Sequence, residues 1–314
     1  MTHPDPASEE LLARLRGPGP KRLSPKWFYD ARGSVLFDQI TTLDAYYLTR
    51  IEHGIMRDYC AEMALSIGPT ARLLELGSGS SEKTHRLLEA MEDVVDYVPL
   101  DISSSALDAA AVRIRAAFPE LLVQPIVADY SAEIVLPPPP RQPKRTVAFF
   151  SGSTIGNFMT DAALEFLKRI AAGIGPGGGL IIAVDQAKDP AVLHRAYDDE
   201  EGVTAAFNMN ALRHINSAVN ANFDLEKFKH EARVNESEGR VEMHLVSLFT
   251  QDVTVAGETI HFEEGESIHS ESSHKWKPAN FERLLERAGF VPIQHWNDEK
   301  DWYRVYYAEV PKSA

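Results

Sequence analysis

The sequence predicts an α/β protein with a mostly parallel sheet flanked by helices and a second α+β lobe inserted late in the chain. From about residue 55 to 187, short apolar runs alternate with helical patterns, as expected for parallel strands joined by helices. A glycine-rich turn follows the first of these runs. Beyond residue 187 the alternation stops and resumes only near the C-terminus. We therefore expect a sheet domain interrupted by a separate lobe.

The glycine-rich turn lies between a predicted strand at 72–76 and a predicted helix from Glu82 to Ala90. Gly77 and Gly79 let the backbone come close to a ligand, and the N-terminus of the helix offers unsatisfied N–H groups to it. This combination indicates a nucleotide-like cofactor.

The kind of cofactor follows from what the turn lacks. It has no G-x-x-x-x-G-K-[ST] pattern, and the third glycine position of the dinucleotide pattern holds Glu82. The remaining pattern, an acidic residue followed by x-G-x-G, resembles the first motif of class I S-adenosylmethionine (SAM) methyltransferases. An ordinary α/β turn of the same composition is the alternative.

The next two predicted strands end in acidic residues. The strand at 97–101 ends in Asp101, where a doubly wound nucleotide-binding fold places a carboxylate on the ribose hydroxyls. The strand at 122–128 is followed by Asp129 and Tyr130, and in the methyltransferase pattern this acid meets the adenine amino group. The alternative is that each aspartate caps a helix or lies at a solvated strand end.

The fourth predicted strand, at 146–151, opens into a loop of small and polar residues that ends near Phe158. Ligands of open α/β sheets bind outside the carboxyl ends of the strands, so we expect this loop to face the transferred methyl group. Thr154 and Asn157 offer oriented hydrogen bonds there. A Gly/Ser/Asn turn that caps a helix would have nearly the same composition.

The rest of the chain divides between the inserted lobe and the end of the sheet. In the lobe we predict helices at 189–197 and 203–220 and strands at 241–245 and 249–255. A fifth parallel strand at 179–185, a helix at 280–288 and antiparallel strands at 291–296 and 302–310 complete a seven-stranded sheet. The predicted domains are 61–187 plus 276–314 for the cofactor, 20–60 plus 188–275 for the substrate, and a flexible arm at 1–19.

Composition limits the classes of partner. The net charge of −14, from 32 basic and 46 acidic residues, disfavours a nucleic-acid substrate and favours a small molecule. The single Cys60 excludes an intramolecular disulfide, and no apolar run has the length of a membrane span. The spacing of His261, His269 and His274 fits no zinc template, so no metal is expected. We expect a cytoplasmic monomer that does not bind membranes.

Longer motifs make the interpretation more specific. The segments PKWFYDARGS, LFDQIT, AYYLTR, LLELGSGSSEKT, VPLDIS, FFSGSTIGNF and ESSHKW resemble the histidine Nα-methyltransferases of ergothioneine biosynthesis. The resemblance extends from about Pro25 to the C-terminus. It implies the Rossmann-like class I fold and a SAM-dependent trimethylation of the α-amino group of L-histidine to hercynine, with S-adenosylhomocysteine as the second product.

The resemblance also implies roles for individual residues. For the substrate, it implies Asn157 and Tyr197 at the carboxylate, with Tyr46 beside them and Tyr29 near the amine. At the imidazole it implies Met243 against the ring and Glu271 and Ser273 at its two nitrogens. Those implied to bind SAM are Gly77 and Lys83 at the amino acid portion, Asp101 at the ribose, and Asp129 and Tyr130 at the adenine. Without the resemblance, Glu271 is better interpreted as a solvated carboxylate in an acidic, serine-rich loop, and Met243 as a core residue.

The chemistry is consistent with these roles. An α-amino group has a pKa of about 8, so most of the substrate arrives protonated and must lose a proton before it attacks a methyl group. Tyr29 and Tyr46 are the expected catalytic residues, acting mainly by orienting the amine. Two alternatives remain: the same reaction on an amino acid with an indole or phenol side chain, and a regulator that binds SAM without turnover.

Overall fold

The computed structural model describes residues 6–17, 19–79, 81–128 and 135–312; the predicted adenine contacts Asp129 and Tyr130 lie outside these ranges. The helices are α1 (Pro6–Arg16), α2 (Ala31–Thr42), α3 (Tyr47–Ile67), α4 (Glu82–Ala90), α5 (Ser104–Ala117), α6 (Thr160–Ile174), α7 (Pro190–Tyr197), α8 (Val203–Val219) and α9 (Pro278–Arg287). The strands are β1 (Ala71–Leu76), β2 (Tyr97–Asp101), β3 (Ile126–Val127), β4 (Arg145–Phe150), β5 (Gly179–Asp185), β6 (Phe228–Asn235), β7 (Arg240–Ser247), β8 (Gln251–Val255), β9 (Glu258–Phe262), β10 (Ser267–His274), β11 (Val291–Asn297) and β12 (Tyr303–Glu309).

The chain forms two compact units. Unit 1 comprises Met1–Tyr47 and Lys188–His274, and unit 2 comprises Leu48–Ala187 and Lys275–Ala314. From Leu48 onward, α3 belongs to unit 2, although the sequence prediction grouped residues 48–60 with the substrate lobe. Helix α3 is continuous from Tyr47 to Ile67, and its Glu52 bonds Lys83 and Gly152 of unit 2. The division of function between the two units stays a prediction.

Unit 2 contains a seven-stranded sheet in the order β11-β12-β5-β4-β1-β2-β3. Five neighbouring strands of this sheet pair in parallel, in the order β5, β4, β1, β2 and β3. Strand β12 pairs antiparallel with β5, and β11 pairs antiparallel with β12. Every residue of β1 and β5 is buried, as expected for a sheet covered on both faces. The strand order reverses between β1 and β4, which is where such sheets bind ligands. The predicted class I methyltransferase fold is confirmed.

The third strand is shorter than predicted. Instead of a strand over 122–128, β3 pairs with β2 only at Ile126 and Val127, and a single bridge joins Val123 to Tyr97. Pro125 lies between these pairings and has no N–H to donate to the ladder. The sheet ladder is therefore interrupted at this proline.

Unit 1 contains a three-stranded antiparallel sheet, β10-β7-β6, and a two-stranded sheet, β8-β9. Helices α7 and α8 pack against the three-stranded sheet, and α2 packs against α8. The DARGS motif starts α2: the Asp30 side chain accepts a hydrogen bond from Gly33 N at 2.6 Å. A Cβ on Gly33 would lie 1.6 Å from the Phe28 carbonyl oxygen, so this contact requires glycine.

The sequence prediction missed β6, β9 and β10 in this unit. Strand β10 has the sequence SIHSESSH, which shows no apolar alternation, yet Ser270, Ser272 and Ser273 are buried. Hydrogen bonds among side chains and backbone replace apolar packing there, so a hydrophobic pattern could not reveal it. In the described part of the chain, no helix is long and apolar enough to cross a membrane.

Candidate active site

The glycine turn of unit 2 follows β1 directly. Gly77 and Gly79 have φ angles of +75° and +45°, values that favour glycine over residues with a side chain. A Cβ on Gly79 would meet no atom within 4 Å, so the turn borders open space. The buried Ser78 hydroxyl has no hydrogen-bond partner among the described residues. The turn thus offers a hydroxyl and close backbone approach to a ligand.

Asp101 lies beside this turn, at the end of the neighbouring strand β2. One of its carboxylate oxygens accepts a hydrogen bond from Ser103 N at 2.9 Å, and the other lies 3.5 Å from Gly79 N. The structure therefore brings Asp101 and the glycine turn together, as adjacent parallel strands require.

Lys83, another predicted SAM contact, is held by a residue that the sequence did not indicate. Its ammonium group donates to the Glu52 carboxylate of α3 at 2.7 Å. The same carboxylate accepts from Gly152 N, at 2.9 and 3.1 Å to its two oxygens, and the Glu52 side chain is 1% exposed. Glu52 thereby joins α3, α4 and the loop after β4. Its sequence separation from both partners explains why no local motif could identify it.

The loop after β4 carries Thr154 and Asn157 on a short 3-10 helix. Ser153, just before this helix, has φ +55° although it is not glycine, and its hydroxyl accepts from Asp185 N at 2.9 Å. Ser81, before α4, has φ +58°. Left-handed backbone at residues other than glycine costs about 1–3 kcal/mol and concentrates at ligand-binding loops. Both loops that the sequence predicted to contact a ligand contain it.

Glu75, the acidic residue of the x-G-x-G motif, is buried beneath the glycine turn. Thr84 and Tyr97 donate hydrogen bonds to its two carboxylate oxygens. Burial raises the pKa of the Glu75 carboxyl to about 7, against the opposing effect of these two hydrogen bonds. Between about pH 4.5 and 7, the folded chain therefore keeps a proton on Glu75 that the unfolded chain has already released.

This proton makes stability depend on pH. Because the folded-state pKa is raised, the contribution of Glu75 is fully present below about pH 4.5 and is lost as the pH rises through about 7. We expect the free energy of unfolding to fall, relative to that of Glu75→Gln, by about 3 kcal/mol between pH 4.5 and 8.5. Denaturant titrations across this range measure it, with the exposed Glu120→Gln as control. A pH-independent difference between wild type and Glu75→Gln would contradict the expectation.

In unit 1, three predicted imidazole contacts share one face of the sheet. Glu271 pairs with Met243 and Ser273 pairs with Val241 across β10 and β7, so by strand alternation their side chains point to the same side. The Tyr197 hydroxyl of α7 lies 2.8 Å from the Ser273 hydroxyl on that side. The structure therefore brings Tyr197, Met243, Glu271 and Ser273 together.

The predicted aromatic residues of unit 1 form two groups. Tyr29, which is 39% exposed, packs edge-on against Phe37 and Phe207, with ring centroids 6.0 and 5.9 Å away. Tyr46 packs edge-on against Tyr197 at 6.1 Å. Tyr46 thus lies next to the imidazole-contact face, whereas Tyr29 belongs to the aromatic group around Phe207.

The other face of the same sheet carries a polar cluster. Among the described residues, Glu242, His244 and His269 place ligand-type atoms within 4.8 Å of one another. Arg240 holds one Glu242 oxygen at 2.7 Å, and the His244 ring lies 3.1 Å from the other. Burial and the neighbouring His244 lower the pKa of His269 to about 4. The two imidazole rings are stacked with planes at 15°, so their in-plane lone pairs do not converge. We interpret the cluster as a buried polar network.

The residues of unit 2 fit the amino acid and ribose portions of SAM. The positive φ values and open space at Gly79 allow close approach, the Ser78 hydroxyl is available, and Asp101 offers a carboxylate for ribose hydroxyls. Lys83 supplies a cation near the same turn for a carboxylate. The donor set matches a zwitterionic amino acid joined to a nucleoside.

Comparison with known proteins agrees with this fit. The sequence profile of a family described as "Histidine-specific methyltransferase, SAM-dependent" matches residues 7–310. A Histidine N-alpha-methyltransferase of Mycolicibacterium smegmatis is 41% identical over 94% of this chain and 93% of its own length. One from Mycobacterium tuberculosis is 42% identical over 89% and 88% of the two chains. Ergothioneine biosynthesis protein 1 of Neurospora crassa is 32% identical over 88% of this chain and 32% of its own length.

The profile spans both units, including the strands that carry Met243 and Glu271 as well as the glycine turn. The match therefore covers the cofactor-binding fold and the inserted lobe together, at identities well above 30% for two relatives of similar length. The chain belongs to the SAM-dependent, histidine-specific methyltransferase family.

Proposed function

We propose that this chain transfers three methyl groups in succession from SAM to the α-amino group of L-histidine, giving hercynine for ergothioneine biosynthesis. The observation that carries the proposal is the shared face of Met243, Glu271 and Ser273, in a chain whose family is histidine-specific. The names of the bacterial relatives and of the Neurospora protein support the same substrate and pathway.

The imidazole fits this face chemically. A neutral imidazole has one N–H donor and one nitrogen lone pair. The Glu271 carboxylate accepts from the N–H, and the Ser273 hydroxyl donates to the lone pair, while the Met243 side chain packs on the ring. An amino acid side chain that cannot pair with both groups loses one of these two hydrogen bonds, at a cost of about 0.5–3 kcal/mol. An indole ring offers an N–H donor but no lone pair for the Ser273 hydroxyl, so it can form only one of these two hydrogen bonds.

In the reaction, SAM supplies an electrophilic methyl group on a sulfonium. The glycine turn, Lys83 and Asp101 would hold the cofactor, with Glu52 fixing the position of the lysine. The motif resemblance assigns the substrate carboxylate to Asn157 and Tyr197. Before each transfer the amine must release its proton to solvent water, because only the neutral amine has a lone pair. Tyr29 and Tyr46 orient that lone pair, and aromatic faces stabilise the methylated ammonium by about 0.5–2 kcal/mol.

Mass spectrometry tests the proposal directly. The purified chain is incubated with SAM and all twenty amino acids in one reaction. We expect a gain of three methyl groups on histidine alone. Methylation of tryptophan or tyrosine instead would overturn the substrate assignment and leave the fold and cofactor in place. SAM binding by calorimetry without any methylated product would indicate a regulator. The cytoplasmic location and the monomeric state stay predictions.

A further inference from the structure

One irregularity in β10 decides which side chains face the substrate. The pairing between β10 and β7 shifts register between His269 and Glu271, which leaves Ser270 as the extra residue of a β-bulge. In a regular strand, residues 269, 271 and 273 would share one face, because side chains alternate with a period of two. The bulge separates them. His269 stays on the face of His244, while Glu271 and Ser273 move to the face of Met243.

Contacts on both faces agree with this separation. The Ser272 hydroxyl lies 3.0 Å from His269 Nε2, which places these two residues on the same side despite their odd spacing. The Ser273 hydroxyl meets Tyr197 on the opposite side. Without the bulge, Glu271 would point towards the network of Glu242 and His244.

Ser270 is held in place by a buried asparagine of α8. Its hydroxyl lies 2.6 Å from Asn208 Oδ1 and 2.9 Å from the Met243 carbonyl oxygen. Asn208 is 0% exposed, and its amide nitrogen donates to the His244 carbonyl at 3.0 Å. One side chain therefore binds both strands at the bulge: the extra residue of β10 and the backbone of β7.

The network continues to the substrate-side helix α7. The Asn208 amide nitrogen also lies 2.8 Å from His230 Nδ1, and His230 Nε2 lies 2.9 Å from the Tyr197 carbonyl oxygen. These directions agree with one tautomer: Nδ1 accepts from the amide and Nε2–H donates to the carbonyl. Burial lowers the pKa of His230, which favours this neutral ring. The network thus connects the bulge with the helix turn that carries Tyr197.

We propose that Asn208 and Ser270 are positioning residues for histidine recognition, acting through the bulge that places Glu271 and Ser273 on the face of Met243. The proposal rests on the proposed function, since it assumes that this face binds the imidazole. Neither residue is among the proposed substrate contacts. Their hydrogen bonds hold the bulge that decides which residues of β10 face Met243, and His230 extends the same network to Tyr197.

The test compares Ser270→Ala and Asn208→Ala with Ser272→Ala. The control removes a hydroxyl of equal size from the same strand, but one that bonds on the opposite face. We expect both test variants to raise the KM for histidine by at least about tenfold, with kcat changed by no more than about twofold. The dissociation constant of SAM, measured by calorimetry, should stay within about twofold of wild type in all three variants. The control should leave the KM for histidine unchanged.

The outcomes separate this inference from the proposed function. If the wild-type chain does not methylate histidine, the proposed function is wrong and the inference fails with it. If wild type does so while Ser270→Ala and Asn208→Ala keep its KM, only the inference is overturned. An equal rise of KM in Ser272→Ala would also overturn it. Asn208→Ala leaves a cavity at a fully buried position and can unfold the chain. If it does, the KM of Ser270→Ala, which lacks only one oxygen atom, decides whether the inference holds.

Discussion

Replacing Glu271 by alanine is expected to raise the KM for histidine by about 10- to 100-fold while leaving SAM binding intact. The change removes the proposed acceptor for the imidazole N–H and leaves that donor without a partner, at a cost of about 1–3 kcal/mol. Because Glu271 lies on β10 of unit 1 and the predicted SAM contacts Gly77, Lys83 and Asp101 lie in unit 2, the dissociation constant of SAM should not change. Steady-state kinetics with histidine as the varied substrate, together with calorimetry for SAM, measure both quantities.

A matched control is available in the same sheet. Glu231 of β6 pairs with His244, on the face away from Met243, and forms a half-exposed ion pair with Arg233. Glu231→Ala removes the same charge from the same sheet and should leave the KM for histidine within about twofold of wild type. Parallel losses of histidine and SAM binding in Glu271→Ala would mean that the substitution had damaged the fold, and its role at the imidazole would have to be abandoned.

Replacing Lys275 by methionine is expected to lower the free energy of unfolding by about 3–5 kcal/mol, equivalent to a fall in Tm of about 5–8 °C. Lys275 lies in the HKW motif directly after β10 and donates to Asp185, at the end of β5, at 2.7 Å. Both side chains are at most 1% exposed. Methionine fills a similar volume but leaves the Asp185 carboxylate buried without its cation. Calorimetric or chemical unfolding measures the loss.

The control for this prediction is Lys168→Met on α6 of the same unit. Lys168 bonds Glu165 at 2.9 Å, close to the distance in the buried pair, but both side chains are about half exposed. An exposed pair of this kind contributes about 0–1 kcal/mol, so the Tm should change by no more than about 3 °C. If the two methionine variants lost similar stability, the buried pair would not hold this end of the sheet as we infer.

The parallel sheet of unit 2 was the most predictable part of the chain. Its strands are continuous apolar runs because both sheet faces are buried, and they are separated by helical patterns. The glycine turn and Asp101 followed from the same logic, since consecutive parallel strands end at the same edge. The error at β3 came from one residue, Pro125, whose missing N–H interrupts the ladder inside an apolar run.

Unit 1 was predictable only in part: helices α7 and α8 and strands β7 and β8 were predicted, whereas α1 lies in the segment predicted as a flexible arm and β6, β9 and β10 were missed. Strand β10 is polar along its length, and composition alone favoured a solvated loop around Glu271. The motif resemblance identified Glu271 and Ser273 as candidates but said nothing of the bulge at Ser270 that orients them. Glu52 was missed for a related reason. It acts on Lys83 and Gly152 through contacts between elements far apart in sequence, and no local pattern records such contacts.

By itself, the sequence determined the fold class, the cofactor motif and the family, because apolar periodicity, glycine placement and motif spacing are local properties of the chain. Only the tertiary structure decided which polar side chains share a face. In unit 1 this depends on the one-residue register shift at Ser270, where Asn208 bonds both strands, and in unit 2 the buried Glu52 brings Lys83 and Gly152 together. These contacts join segments that are distant in sequence. A buried polar group needs a hydrogen-bond partner, and here the residues next to it in the sequence do not supply one.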